Sequence, residues 1–261
     1  MQQQMKLIEA RVAEAAELYP KNWILWLDAP EAARGAQVGQ FLMVQCGEEL
    51  DPLLPRAFSI HRLRETPAGP QFALLFTVAG RGTAWLARRR PGDLIPLFGP
   101  LGHGYTVHPG SRNLLLVAGG IGVAPLVWFA DEQVARGSNL TLLLGARTAD
   151  QLYPAQLLPA EVEVVACTDD GSAGRGALVS DLLPEFLLWA DQVFACGPTA
   201  MFRSLAEELH RAAWRKPVQA LLEERMACGT GICYSCAVET RRGTRLVCKD
   251  GPCFELRDVY R

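Results

Sequence analysis

The rhythm of apolar and polar positions changes near the middle of the chain. Up to about residue 104 the apolar runs are short: Trp23–Leu27, Phe41–Gln45, Ala57–Ile60, Phe72–Val78 and Leu94–Leu97. Turn residues separate them, among them Gly35, Gly39, Asp51-Pro52, Gly80, Gly82 and Pro91-Gly92-Asp93. Many short strands at this spacing predict an antiparallel barrel or sandwich. One short helix is expected from Thr83, as its cap, through Trp85 to Arg89. Beyond Pro109-Gly110 the runs Leu114–Ala118, Leu140–Leu144, Val162–Cys167 and Gln192–Cys196 are nearly continuous, as strands covered on both faces require. Helices are expected between them at Pro125–Arg136, Leu178–Leu188 (interrupted by Pro184) and Thr199–Ala213. That alternation predicts a doubly wound parallel sheet. The helix-poor remainder from Lys216 is too short to bury a core of its own, so a metal is expected to substitute for one. The expected fold class is therefore β plus α/β. An antiparallel β-barrel occupies 1–105, a doubly wound α/β domain 106–215, and a small metal-held module 216–261.

Composition narrows the function. With 49% hydrophobic and 21% charged residues the 261-residue chain can bury a sizeable core, which excludes disorder. Lys+Arg number 26 against 28 Asp+Glu, so there is no basic surplus to hold a phosphate backbone, and no nucleic-acid partner is expected. Asn113 to Ala130 carries no charge and approaches membrane-spanning length, but Gly119, Gly120, Gly122 and Pro125 interrupt it. It reads as a buried strand, a glycine turn and a helix start. The opening Met1-Gln-Gln-Gln-Met-Lys6 lacks the apolar core of a secretion signal, so the expected location is cytoplasmic, with no membrane partner.

Three of the eight cysteines, Cys46, Cys167 and Cys196, are scattered among apolar or small neighbours and read as buried thiols. The other five crowd between 228 and 253, which in a reducing compartment points to metal. Cys228-x4-Cys233-x2-Cys236, followed after eleven residues by Cys248, has the spacing of plant-type [2Fe–2S] ligands. The Gly229-Thr230-Gly231 loop is small enough to curl its N–H groups toward the sulfides. A rival set, Cys233-x2-Cys236 with Cys248-x4-Cys253, would suit zinc. Under the iron reading Cys253 is spare.

Two further segments carry candidate chemistry. In Arg56-Ala57-Phe58-Ser59 the guanidinium suits a pyrophosphate, the phenyl ring a flat heterocycle and the hydroxyl a flavin edge. Leu75-Phe76-Thr77 then runs through Gly80 and Gly82 to Thr83, where bare helix-start amides suit phosphate. Read plainly, the same residues are a strand with one odd arginine and a capped helix. Gly119-Gly120-Ile121-Gly122-Val123-Ala124-Pro125 follows a strand and opens a helix, the context that makes a glycine turn informative for a dinucleotide. Proline replaces the third glycine of the common pattern, and the first helical turn tolerates it. Arg147, Asp169-Asp170 and Cys196-Gly197-Pro198 end the following strands at the same sheet edge. The aspartates would repel a 2′-phosphate and favour NAD over NADP, with Arg147 pulling the other way.

This order of modules resembles the ferredoxin–NADP reductase superfamily and, within it, the electron-transfer subunits of class 1B dihydroorotate dehydrogenases. The resemblance spans almost the whole chain. It rests on Arg56–Ser59, Gly80–Thr83, Gly99–Gly102, Gly119–Pro125, Thr168–Ser172 and, most specifically, Glu224-Arg-Met-Ala-Cys-Gly-Thr-Gly-Ile-Cys-Tyr-Ser-Cys236 with Cys248-Lys-Asp-Gly-Pro252. It implies FAD on Arg56, Ala57, Phe58, Ser59, Leu75, Phe76, Thr77, Gly82 and Thr83. NAD would lie on Gly120, Gly122, Pro125, Asp169, Cys196 and Gly197, and a [2Fe–2S] cluster on Cys228, Cys233, Cys236 and Cys248. It also implies an FMN-containing dihydroorotate dehydrogenase catalytic subunit as partner, in a heterotetramer of two of each. Ala57 stands where that family usually has proline, His103 where asparagine is commoner, and Cys253 where an aliphatic residue sits.

The expected function is electron transfer in pyrimidine biosynthesis, from the catalytic subunit through the cluster and FAD to NAD+. A flavin handles electrons in pairs or singly, and a cluster handles them one at a time. No separate catalytic acid or base is expected, since His61, His103, His108 and His210 are scattered along the chain. Two alternatives stand beside this. One is the flavin subunit of a sulfide dehydrogenase or of a ferredoxin:NADP oxidoreductase, where an aspartate often replaces a cluster cysteine, against Cys228 here. The other is a zinc-containing nucleotide-sensing module, which would be free of flavin.

Overall fold

The short runs close into a barrel, and the continuous runs stack beside it. The computed structural model describes residues 7–48 and 51–260, so residues 1–6 and 49–50 of the expected 1–105 barrel domain, and residue 261, lie outside it. In chain order the barrel comprises β1 (Ile8–Tyr19), β2 (Asn22–Asp28), α1 (Pro30–Ala33), β3 (Phe41–Val44), β4 (Arg56–Arg64), β5 (Gln71–Thr77), α2 (Arg81–Leu86) and β6 (Leu94–Leu101). Strand order is β1-β2-β5-β4-β3-β6, with β6 returning antiparallel onto β1. Strand β1 is absent from the expected runs because its Ala- and Glu-rich sequence favours helix. Yet Ile8, Ala10 and Val12 are buried between exposed Glu9 and Arg11, so the period of two prevails. Helix α2 starts three residues earlier than expected, with Gly80 rather than Thr83 at its N-cap. Thr83 is thus not the cap. Its Oγ1 accepts the N–H groups of Ala79 (2.9 Å) and Gly80 (3.1 Å) from the third helical position.

The second half supplies β7 (Asn113–Gly119), a 3₁₀ turn at Gly120–Gly122, α3 (Val123–Ala135), β8 (Asn139–Ala146), β9 (Val162–Thr168), β10 (Arg175–Gly176), α4 (Val179–Phe186), β11 (Gln192–Cys196), α5 (Thr199–Arg211) and β12 (Val218–Leu221). The tail adds the hairpin β13 (Ala237–Thr240) and β14 (Gly243–Leu246), α6 (Val247–Asp250), β15 (Cys253–Glu255) and α7 (Leu256–Val259). The sheet runs β10-β9-β8-β7-β11-β12-β15, parallel except for β15. Chain direction across the sheet reverses between β7 and β11, the place where open α/β sheets bind ligands. The uncharged 113–130 stretch is β7, the turn and the first half of α3. No described helix is long and apolar enough to cross a membrane.

The sheet extends beyond the expected boundary at 215. Strand β12 pairs in parallel with β11, and β15 pairs antiparallel with β12, setting Leu221 opposite Cys253. Residues 222–252 are therefore one excursion between two neighbouring strands. His103, at the barrel exit, donates its N–H to Gly251 O (2.6 Å) and accepts that of Cys253 (3.3 Å), tying the returning strand to the barrel.

Barrel and sheet meet chiefly where β4 faces α3. His61 is fully buried there; its Nδ1–H donates to Ala124 O (2.8 Å) and its Nε2 accepts the Tyr153 hydroxyl (3.4 Å). A carbonyl only accepts, which fixes the proton on Nδ1. Arg62 grips Asp131 through two N–H groups (2.7 and 3.0 Å) and donates to Leu157 O (2.7 Å). Burial pushes the pKa of His61 down to about 4. The unfolded chain binds a proton near pH 6.5 that the fold refuses, so this contribution is intact above pH 6.5 and is lost as pH falls toward 4. The difference reaches about 3 kcal/mol. Urea unfolding should show stability declining through that window. In His61→Asn, which keeps a donor toward Ala124 but cannot titrate, this component of the decline should be absent.

Candidate functional site

A cavity of about 810 Å³ lies between barrel and sheet. Its barrel wall contains Arg56, Ala57, Phe58 and Ser59 of β4, Leu75, Phe76 and Thr77 of β5, and Ala79 and Thr83 beyond them. Regular pairing positions these side chains: β4 lies between β3 and β5, and Phe58 meets Phe76 edge-on with centroids 5.7 Å apart. Arg56 spends one nitrogen on the carbonyls of Leu54 (2.8 Å) and Pro55 (3.3 Å), and among the described residues its other donors have no hydrogen-bond partner. Gly82 is not a wall residue. It packs beneath, where a Cβ would sit 3.0 Å from Cys46 Cβ, so glycine is what lets the helix start approach the segment just after β3.

The facing wall comes from Ile121 in the 3₁₀ turn and Ala124 at the start of α3, Thr199 at the start of α5, and the tail residues Leu221–Met226 and Pro252. Sequence reasoning left the tail out of this wall. The signal available was the Glu224-Arg-Met lead-in to the first cluster cysteine. Glu223 reaches solvent through the open cavity while protein surrounds it on its other sides, and burial raises its carboxyl pKa.

A smaller pocket of about 280 Å³ adjoins the cavity, sharing Thr199, Leu222, Glu223 and Glu224, and adding Gly197, Pro198, Phe202 and Tyr260. Of the six residues expected at a nucleotide, only Gly197 lines it. Gly120 is left-handed at φ +55°, with nothing within 4 Å of where a Cβ would be, so the turn presents bare backbone. Gly122 is closed in; a Cβ there would lie 2.2 Å from Cys196 O. Pro125 is buried in the first turn of α3, and Cys196 is buried beneath the turn, where burial raises its thiol pKa well above the usual range. Asp169 is exposed at the end of β9. Its neighbour Asp170 is committed to Ser172, accepting the backbone N–H (2.9 Å) and the hydroxyl (2.6 Å).

The cysteines sort into two pairs plus one. Cys228 and Cys233 are in contact, with the Cys233 N–H donating to Cys228 Sγ (3.5 Å). Cys236 and Cys248 form the second pair, with the Cys248 N–H donating to Cys236 Sγ (3.5 Å). Burial works to raise the Cys228 thiol, but hydrogen bonds from Thr230 and from the amides of Ile232 and Cys233 outweigh it and bring it to about 5. Burial and Cys236 push Cys248 up to about 12. Cys253 stands apart on β15, its thiol donating to Gln219 Oε1 (3.4 Å). The four-thiolate zinc set that includes Cys253 is thus not brought together. Two cysteine pairs suit a centre with two irons, each holding two thiolates. Positive φ at Gly229 (+67°) and Gly231 (+82°) bends the loop, and Gly229 lies so close to β3 that a Cβ would be 2.6 Å from Met43 Cγ.

Comparisons with known proteins agree with this layout. The family model for the iron–sulfur cluster binding domain of dihydroorotate dehydrogenase B matches residues 223–260. The chain is 40% identical over 257 residues to the dihydroorotate dehydrogenase B (NAD(+)) electron transfer subunit of Desulforamulus reducens, covering 95% of this chain and 96% of that one. To the subunit of the same name from Bacillus caldolyticus it is 36% identical over 228 residues, 85% and 86% of the two chains. Among solved structures, that of an NADH-dependent reduced ferredoxin–NADP oxidoreductase superposes with a TM-score of 0.84 at 26% identity, over 97% of this chain and 90% of that one. The ferredoxin–NADP+ reductase of Neisseria gonorrhoeae, solved with FAD and NADP, shares the fold (TM-score 0.66, 19% identity, 80% and 93% covered). Similarity at this level along nearly the whole length, with the cluster domain in its tail, means that the chain belongs to the family of dihydroorotate dehydrogenase B electron-transfer subunits.

Proposed function

We propose that this chain carries electrons between a partner that oxidises dihydroorotate and NAD+, with a [2Fe–2S] centre on its surface and FAD between barrel and sheet. The observation that carries this reading is a shared wall. The tail segment that leads into the first cluster cysteine, Leu221–Met226, also closes the large cavity, and that cavity adjoins the pocket at Gly197. When bound, the flavin exchanges electron pairs with a nicotinamide and single electrons with an iron–sulfur centre.

The residues divide the work as follows. Arg56, with donors to spare, faces the flavin's diphosphate, together with the first-turn amides of α2 around Gly82 and Thr83. Phe58 and Phe76, with Ala57, Leu75 and Thr77, supply a close-packed wall for the ring system, and Ser59 a hydroxyl at its edge. Cys228, Cys233, Cys236 and Cys248 hold the two irons. Gly120 lets the nicotinamide nucleotide's diphosphate approach the start of α3, Gly122 lets that turn pack on Cys196, Pro125 fixes the first helical turn, and Cys196 and Gly197 form the floor near the smaller pocket. Asp169, with its neighbour occupied by Ser172, is the carboxylate free to meet the adenosine ribose. The partner is an FMN-containing catalytic subunit in a two-plus-two assembly in the cytoplasm. Cysteine rather than aspartate at position 228 favours this over a sulfide dehydrogenase subunit.

Four outcomes test the reading. Purified anaerobically, the chain should contain about two irons. Cys248→Ser should abolish that iron while Cys253→Ala retains it; loss in Cys253→Ala would restore the zinc-type set. Mixing the chain with the FMN subunit should confer NAD-linked oxidation of dihydroorotate, and a reconstituted complex that reduces no NAD+ would reject this partner. Asp169→Asn should shift the preference for NADH over NADPH toward NADPH by about fivefold, the effect of removing roughly 1 kcal/mol of charge repulsion at an exposed site, read as the ratio of the two kcat/KM values.

A further inference from the structure

Strand β4 does two things that a regular strand cannot do together. In a regular strand His61 and Arg62 would point to opposite faces. Here Ile60 opposes Leu74 while Arg62 opposes Ala73, which leaves His61 as the extra residue of a β-bulge. A bulge re-aims a side chain. As a result both residues address the sheet domain: His61 at Ala124 in the first turn of α3, and Arg62 at Asp131, about two turns further along the same helix. Tyr153, from the loop after β8, closes on the far nitrogen of the imidazole and packs edge-on against it at 5.8 Å.

The place that His61 holds is where two sites meet. Ala124 and Ile121 line the large cavity, and Ile121 and Ala124 are also part of the run Gly119–Pro125 that turns from β7 into α3. On the barrel side, Arg56–Ser59 of the same strand line that cavity immediately before the bulge. One continuous strand thus touches the proposed flavin site with residues 56–59 and fixes the proposed nicotinamide turn with residue 61. A buried apolar residue would fill the space without a desolvation cost, whereas imidazole is retained with both nitrogens satisfied.

We infer that His61 is a positioning residue for the nicotinamide nucleotide: through Ala124 O it sets the start of α3 at a fixed distance from the flavin wall, so that bound nicotinamide and flavin come into register. This rests on the functional reading above. A displacement of about 1 Å at such a contact can slow transfer about a hundredfold.

The test uses the full chain loaded with FAD and cluster. NADH is added anaerobically, and two quantities are read: the rate of flavin reduction and the long-wavelength charge-transfer absorbance of nicotinamide stacked on flavin. His61→Leu should lose the absorbance and slow reduction about ten- to a hundredfold, with KM for NADH changed far less and with FAD content and the dithionite-reduced cluster EPR signal unchanged. His61→Asn, which presents a donor near the position of Nδ1, should recover both readouts to within a few-fold. A His61→Leu protein with wild-type absorbance and rate overturns the inference, as does a loss that parallels FAD loss and is not rescued by asparagine. Should His61→Leu fail to fold, Tyr153→Phe removes only the hydroxyl on Nε2. It should weaken the absorbance about two- to threefold, a change that orientation through one hydrogen bond supports, and an unchanged band overturns the inference. A wild-type chain that takes up no flavin overturns the functional reading instead, and this inference with it.

Discussion

Strands β12 and β15 lie side by side, and the intervening 222–252 segment must leave one and return to the other. Closing about thirty residues of otherwise helix-poor chain costs roughly 3 kcal/mol of entropy, which the ladder between Gln219–Leu221 and Cys253–Glu255 helps offset. Both ends of the excursion are thereby anchored to the large sheet, and His103 anchors the returning end to the barrel. The cysteine loop is therefore held by the same two domains that form the cavity. Its first residues serve as cavity wall, and its later residues pack with Phe41, Met43, Phe98 and Leu101 on the outside of the barrel. A loop attached at one end only would leave the distance between thiolates and cavity undefined, and single-electron transfer needs that distance fixed.

The thiolate loop illustrates how little local sequence is needed once the ends are fixed. Gly229 and Gly231 supply the left-handed backbone that brings the amides around Cys228, and the Thr230 side chain together with those amides lowers its pKa against the opposing effect of burial. Gly229 also permits the close approach to Met43. The two cysteine pairs differ in environment: Cys228 and Cys233 are toward solvent, Cys236 and Cys248 are buried. The side of the loop facing solvent carries Ile232 and Tyr234, exposed at 80% and 64%.

Much of this was legible in the sequence, for reasons that also explain what was not. The continuous runs of β7, β8, β9 and β11 identify themselves because both faces are covered, and the cysteine spacing is specific because four thiols at those intervals have few other uses. Arg56–Ser59 and Leu75–Thr77 come together in one cavity because β4 and β5 are neighbours in the barrel. Strand β1 was hidden by its Ala- and Glu-rich, helix-favouring composition, and β12 by its brevity so close to the cysteines. The role of Leu221–Met226 as cavity wall was hidden because it depends on which strands are adjacent, and periodicity does not encode adjacency. A bulge such as that at His61 leaves no pattern at all, since one extra residue is visible only against its partner strand.

The two proposed nucleotide regions are built on different physical terms. The large cavity is made by side chains of paired strands and faced from the other side by three separate segments, so a molecule seated there is held between two walls over a large, mostly apolar area. The glycine turn has the opposite character: Gly120 presents backbone with open space in front of it, and Asp169 stands exposed at the sheet edge. A ligand gripped by bare amides and one surface carboxylate gains directional hydrogen bonds but little apolar burial, which suits something that must leave after each turnover. The two-walled site suits a resident cofactor. That contrast follows from architecture, a barrel wall on one side and a sheet edge on the other, and it is the same contrast that a carrier between a fixed redox partner and a diffusing one requires.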